Sequence, residues 1–292
     1  MSGLFRVATD SGCDLPLTLC EERGVLPLQL VYEMDGVQRV DTMDHGDCHR
    51  FYEEMRAGKE PHTSQVTPQQ FYDFWEARRA ESDLPLVHIA MGSGISGTYG
   101  NGVIAREQFL ADHPGAEIYL VDSTLASVGY GMLALDAARL RDEGKTAAEC
   151  VARLEARKAA VNTYYTTGDL TYLYRSGRVS RTGMTIAHAL NIWPILNLDL
   201  EGHLIVQEKA RGKKKTIARI HRIIGDLVTD PSSQTLFICH SDIADEAKAF
   251  GDEIREKFGF RDVYYTYIGS TIGAHAGPGL MAAFFYGKPR TM

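Results

Sequence analysis

No stretch of this sequence approaches the ~18 consecutive apolar residues of a membrane span. The opening residues, Met1-Ser2-Gly3-Leu4-Phe5-Arg6, lack the basic and apolar regions of an export signal. A cytoplasmic protein without stable membrane insertion is expected. Cysteine is scarce: Cys13, Cys20, Cys48, Cys150 and Cys239 are odd in number and form no Cys-x-x-Cys pair, which fits reduced, mostly buried thiols. No His-Glu-x-x-His or Cys/His cluster is present, so no metal is expected. Basic charge is in deficit, with 31 Lys and Arg against 38 Asp and Glu and a net charge of −7, which disfavours nucleic acid as a partner of the whole molecule. Two catalytic motifs fail on spacing. Gly144-Lys145-Thr146 resembles the end of a P-loop, but Arg139 stands where its first glycine belongs. A Gly-x-Ser-x-Gly nucleophile elbow would need glycine at Thr98 in Gly94-Ile95-Ser96-Gly97-Thr98. No positive signal for catalysis is left.

What is present is an ordinary globular composition, 44% hydrophobic and 24% charged over 292 residues, enough for one large or two medium domains. The most telling stretch is Met91-Gly92-Ser93-Gly94-Ile95-Ser96-Gly97-Thr98-Tyr99-Gly100-Asn101. A strand-length apolar run within Leu84–Ala90 precedes it, and Val103, Ile104, Phe109 and Leu110 follow at helical spacing. Unpaired N–H groups and the dipole at a helix start attract anions. Three glycines allow close approach, and Ser93, Ser96 and Thr98 offer further donors. A small anion, phosphate or carboxylate suits this turn, although a plain helix cap needs only one of those serines.

Around this turn the pattern alternates. Strands are predicted at Leu4–Thr9, Val25–Tyr32, 84–91 and Glu117–Val121. Helices are predicted at Asp47–Ala57, from Pro68 with Thr67 as cap, and at about 126–143 and 146–159. Asp14 reads as an N-cap ahead of Pro16. Such alternation gives a parallel sheet with helices on both faces. Ligands lie beyond the carboxyl ends of such strands, where Asp10-Ser11, Met91-Gly92-Ser93 and Asp122-Ser123 all fall. These groups either line one crevice or cap helices. After about residue 160 the pattern changes to a strand at Thr163–Thr167, a short helix near Leu170–Tyr174, a hairpin turning at Glu201-Gly202, and further βα pieces. Gly269–Gly279 reads as a glycine-rich loop before a last strand, Leu280–Tyr286. The expectation is an α/β protein with a parallel N-terminal sheet (1–160), a C-terminal α+β domain (161–292), and the ligand between them.

Taken in order, several motifs resemble the DegV family of bacterial fatty-acid-binding proteins. They are Thr9-Asp10-Ser11 with Asp14-Leu15-Pro16; Thr63-Ser64-Gln65; Ser93-Gly94-Ile95-Ser96-Gly97-Thr98-Tyr99; Val121-Asp122-Ser123; Tyr172-Leu173 with Ser176-Gly177-Arg178-Val179-Ser180; Pro194-Ile195-Leu196; Lys209-Ala210-Arg211; and Ile272 through Gly279. They span residues 7–279, and their joint occurrence is what is specific. Gly12-Cys13, Arg175-Ser176-Gly177 and Val66 depart from the family pattern without removing a ligand contact.

The resemblance implies a long-chain fatty acid such as palmitate in an apolar tunnel, its carboxylate met by Thr63 and Ser96, with Gly97, Ser93 and His275 nearby. It implies a binding subunit, not an enzyme, that presents the acid to a separate fatty acid kinase. The kinase makes acyl phosphate for phospholipid synthesis, and Arg178 and Arg211 stand on the kinase side. A monomer with no cofactor other than its bound lipid is expected. The basic run Lys209–Lys215 has no interleaved aromatics, which argues against nucleic acid there. Two other classes stay open. One is a serine-dependent acyl hydrolase using Ser96 or Ser93 with His275. The other is a triose- or sugar-binding kinase domain, whose site would be small and polar.

Overall fold

The computed structural model describes residues 4–179 and 192–291. The first part of the chain runs through β1 (Arg6–Asp10), α1 (Leu17–Glu22), β2 (Val25–Leu28), β3 (Val31–Met34), β4 (Val37–Val40), α2 (His45–Arg56), β5 (His62–Thr63), α3 (Pro68–Glu81), β6 (Leu86–Ala90), α4 (Thr98–Asp112) and β7 (Ile118–Asp122). Helices α5 (Val128–Asp142) and α6 (Ala147–Arg157) follow. The rest comprises β8 (Val161–Thr166), α7 (Thr171–Arg175), β9 (Ile192–Leu198), β10 (Leu204–Arg211), α8 (Lys213–Leu227), β11 (Thr235–His240), α9 (Ala244–Phe258), β12 (Asp262–Tyr267), α10 (Ser270–Ala276) and β13 (Met281–Tyr286).

Three sheets result. The first is parallel and four-stranded, in the order β2-β1-β6-β7, and is flanked by helices. Its central strand β6 is buried along its whole length, as expected of a parallel strand covered on both faces. The second is mixed and six-stranded, β10-β9-β8-β13-β11-β12, antiparallel except between β11 and β12. The third is a small antiparallel sheet, β4-β3-β5. The main core joins both large sheets, with Leu133, Tyr165, Leu196 and Phe284 in one cluster. Helix α5 touches both β1 and β8, and its Gly129, Gly131, Ala134, Ala137 and Ala138 are buried. Small side chains let a helix lie close to backbone on two sides. A second core behind the six-stranded sheet holds Ile220, Ile224, Phe250, Ile254 and Phe285.

Several local expectations are met. Thr67 and Gln70 form a capping box around Pro68, and β9 and β10 form the hairpin. Others need correction. The single strand expected at Val25–Tyr32 is two strands in different sheets. Leu30 N–H donates to Ser11 Oγ at 3.0 Å and Leu30 C=O accepts from Asp41 N–H at 2.9 Å, so the chain leaves the parallel sheet there. Asp14 does not cap α1. Its backbone is left-handed (φ 53), and Pro16 holds the N-cap position with no side-chain bond. The glycine-rich stretch Gly269–Gly279 is not all loop, because it contains α10. Ser180, the last residue of the expected Ser176–Ser180 loop, lies outside the described residues.

Candidate functional site

A cavity of ≈ 410 Å³ lies where the three sheets meet, within the size range of small-molecule sites. Its wall grades from polar to apolar. Thr63, Ser64, Gln65, Ser96, Thr98, Arg178 and His275 contribute polar groups, and His62, Ser64 and Gln65 are exposed. Leu30, Met91, Ala126, Leu196, Ile268, Ala276 and Leu280 make a buried, mostly apolar part of the wall, to which buried Ser127, Tyr165 and Thr271 also contribute.

The polar part draws on four separate places in the chain. Thr63 is held by β5, where it pairs with Tyr32 of β3. Its Oγ1 lies 2.8 Å from Nε2 of His275 at the far end of α10. This bond joins residues more than 200 positions apart and fixes the ring in the wall. Burial, helped by the nearby Arg178 guanidinium, pushes the His275 imidazole down to about 4, so the ring is neutral at pH 7. Its Nδ1 is buried with no partner among the described residues. A neutral imidazole has one N–H. If Nε2 carries it and donates to Thr63 Oγ1, the threonine hydrogen is left to point into the cavity.

Ser96 and Thr98 come from the turn between β6 and α4. Ser96 Oγ donates to Thr98 Oγ1 at 3.0 Å and accepts from Thr98 N–H at 3.2 Å. The threonine is 4% exposed and lines the cavity. The sequence marked it as one of three hydroxyls in this turn that could meet an anion. The arrangement makes its hydroxyl a further donor, because Ser96 has given its hydrogen to it. Gly97 stands beside the wall: a Cβ there would lie 2.6 Å from Gln65 Oε1, so glycine leaves room for the Gln65 side-chain amide over the turn. Arg178 lines the rim, its Nη1 donating to Ser176 C=O at 2.6 Å, and burial lowers its guanidinium below the usual range.

Ser93 and Arg211 are not part of this cavity. Ser93 is exposed and faces the other way, its N–H and Oγ donating to the Asp122 carboxylate at 3.1 and 2.6 Å. Its expected contact with a ligand carboxylate is corrected on that ground, since the hydrogen is already committed to a carboxylate. Arg211 ends β10 opposite Ile192 and is exposed away from the cavity. Asp10 and Asp122 do not line the expected crevice: Asp10 caps the short turn 11–13, the other option, and Asp122 bonds within its own loop and to Ser93. Asp122 also takes Thr124 N–H at 3.1 Å. Asp10 takes Gly12 N–H at 3.1 Å, Met91 N–H at 3.4 Å and the Tyr130 hydroxyl. Burial raises its carboxyl to about 6. Among the described residues no His, Cys, Asp and Glu group is arranged to hold a metal ion, and no helix is long and apolar enough to cross a membrane.

Chemically, the polar end offers hydroxyl and imidazole groups plus a helix start to an anion, and the one carboxylate on the wall beside them, Glu60, is paired with Arg175 at 2.8 Å. The buried remainder suits an aliphatic chain. The family model described as "Uncharacterised protein, DegV family" matches residues 5–288. A DegV domain-containing protein of Clostridium perfringens is 34% identical over 287 residues, covering 98% of each chain. One of Streptococcus pyogenes is 30% identical over 291 residues, covering 97% of this chain and 98% of the relative. The fold is similar to DegV of Bacillus subtilis, described as a fatty acid binding protein, at 27% identity and a TM-score of 0.85 over 98% of this chain and 100% of the other. A Thermus thermophilus DegV family protein described for its fatty acid binding gives 25% identity and a TM-score of 0.85, with 97% and 99% coverage. The Streptococcus pneumoniae fatty acid kinase B3 protein, loaded with linoleic acid, shares the fold at 20% identity and a TM-score of 0.81, with 97% and 99% coverage. The chain belongs to the DegV family.

Proposed function

We propose that this protein is a fatty-acid carrier: it holds a long-chain fatty acid in the cavity and presents the carboxylate to a separate kinase, which converts it to an acyl phosphate. The observation that carries this reading is the polar-to-apolar grading of one cavity, with Thr63, His275, Ser96 and Thr98 at the partly exposed end and aliphatic side chains in the buried end. Hydroxyls and a neutral imidazole bind a carboxylate by neutral hydrogen bonds, which leaves an oxygen free to attack phosphorus. Arg178, half-buried on the same wall, adds positive charge there while its Nη1 is engaged by Ser176 C=O. About 14 methylenes at ~0.8 kcal/mol each supply roughly 11 kcal/mol of transfer free energy before ordering costs, so the acyl chain dominates affinity. The fatty-acid-binding descriptions of the Bacillus and Thermus proteins support this ligand. The kinase description of the Streptococcus pneumoniae protein supports the partner. Arg178 on the rim and Arg211 beyond it serve the kinase side.

Two observations weigh against a serine hydrolase: the His275 value near 4 makes a poor base, and Nδ1 has no orienting acceptor among the described residues. An aliphatic lining weighs against a triose or sugar. The test is denaturing extraction of purified protein followed by mass spectrometry. Stoichiometric long-chain fatty acid is expected, and its absence from protein expressed with fatty acid available would sink the reading. Arg178→Ala and Arg211→Ala should keep the lipid while kinase-dependent phosphorylation falls.

A further inference from the structure

Helix α10 supplies Thr271, Ile272, Ala274, His275 and Ala276 to the cavity wall, yet at seven residues it is too short to be stable alone. What holds it is unusual. Gly269 N–H donates to Asp14 Oδ1 at 2.8 Å, and Thr271 N–H donates to Asp41 Oδ2 at 3.2 Å. The two carboxylates come from different places, Asp14 after the turn that follows β1 and Asp41 after β4. They are neighbours: a Cβ on Gly269 would lie 3.0 Å from Asp14 Oδ1 and 3.3 and 3.4 Å from the two Asp41 oxygens. Both side chains are buried, and neither forms an ion pair among the described residues. Burial raises both carboxyls against the bonds they accept.

Two buried acids side by side without a cation are a costly way to start a short helix. Further bonds converge on the same point. Ser127 Oγ donates to Asp14 Oδ2, Thr266 Oγ1 donates to Asp14 C=O at 3.0 Å, and Tyr52 O–H donates to Ile268 C=O at 2.8 Å. The other end of the helix is tied by the His275–Thr63 bond. The ligand wall is thus suspended between the acid pair and the carboxylate site.

We propose that Asp14 and Asp41 are positioning residues: by gripping the start of α10 they set its depth and rotation, and so place His275 and the Thr271–Ala276 wall to receive the ligand. This rests on the carrier reading for its ligand, but not for its geometry. The test compares Asp14→Asn, Asp41→Asn and Ser127→Ala with wild type, using Asp122→Asn, on the outward-facing turn, as control. One readout is the dissociation rate of a fluorescent long-chain fatty acid. The other is the 15N shift of the His275 ring nitrogens in lipid-stripped protein, which needs no ligand. Positioning predicts that the three variants shift the His275 signals and release the acid roughly tenfold faster, about the worth of one misplaced hydrogen bond, while Asp122→Asn does neither. Unchanged His275 signals in folded Ser127→Ala and Asp41→Asn protein would overturn it, as would equal effects from Asp122→Asn. A wild type that binds no fatty acid, with variants that still shift the His275 signals, would instead refute the carrier reading and leave the positioning role supported.

Discussion

Ser93 and Ser96 stand in the same turn beyond the same strand, and they have opposite fates. Ser93 gives its hydroxyl and amide hydrogens to the ionisable Asp122 on the neighbouring strand end. The Ser96 hydroxyl bonds instead to Thr98, a neutral partner at the start of the following helix, and lines the same cavity as Thr63 and His275. A hydrogen bond to a charged group is about twice as strong as a neutral one, so Ser93 is committed to holding two strand ends together. The Ser96–Thr98 pair is held more weakly and is free to turn toward an arriving carboxylate. Within one turn, then, the partner's charge separates a structural serine from a binding one.

The largest effect should come from removing the binding side of this contrast. Thr63→Val with Ser96→Ala deletes one hydroxyl donor to a charged ligand and the hydroxyl that orients a second donor, Thr98, each worth about 1.5–3 kcal/mol, and should weaken fatty acid affinity by roughly a hundredfold or more. Displacement of a fluorescent fatty acid measures it, and a change within threefold would erase the distinction between the two serines.

Next comes a contrast between two depressed histidines. His88 is fully buried, accepts from Trp75 Nε1–H at 3.1 Å, and is pushed by burial to about 3; His275 sits near 4 in the cavity. For His88 the folded value lies below the ordinary 6.5, so below that pH the unfolded chain takes up a proton that the native state refuses. Stability present above pH 6.5 is therefore lost as the pH falls toward about 3, with a slope of up to about 1.4 kcal/mol per unit. His88→Gln should flatten urea-melt stability across that window without altering lipid content. An unchanged slope would show that His88 is not the group responsible.

A smaller effect is expected from the packing that holds the turn. A Cβ on Gly94 would meet the backbone of the β9–β10 hairpin tip, with Gly202 C at 2.7 Å and His203 N at 2.8 Å. Gly94→Ala should cost about 1–3 kcal/mol of stability, read from denaturant midpoints. Smallest of all is Ser93→Ala. Asp122 keeps two amide donors, so stability should fall by about 1 kcal/mol or less, with fatty acid affinity unchanged.

What was legible in the sequence was what neighbours in the chain determine. The strand–turn–helix around Ser96, the cap at Thr67 and the hairpin at Glu201-Gly202 all announce themselves through local spacing. The resemblance to a known family added Thr63 and His275, which no local pattern connects. Three things were hidden because their partners are remote. Asp14 has the look of a cap before Pro16, but its carboxylate serves Ser127 and Gly269. The run Val25–Tyr32 is continuous in hydrophobicity, yet Ser11 and Asp41 capture Leu30 and split it. Ser93 was expected beside the ligand carboxylate and is bound to Asp122 instead, because only the fold shows which hydroxyl has a carboxylate beside it.

The contrast between the two serines is tested most directly with a long-chain fatty acid labelled with 13C at its carboxyl carbon. Bound to the wild type, its resonance should be displaced from that of the acid in detergent. Ser96→Ala and Thr63→Val should each move the resonance while acid stays bound, and Ser93→Ala should leave it in place. A carboxyl signal that follows Ser93 and ignores both Ser96 and Thr63 would contradict the account.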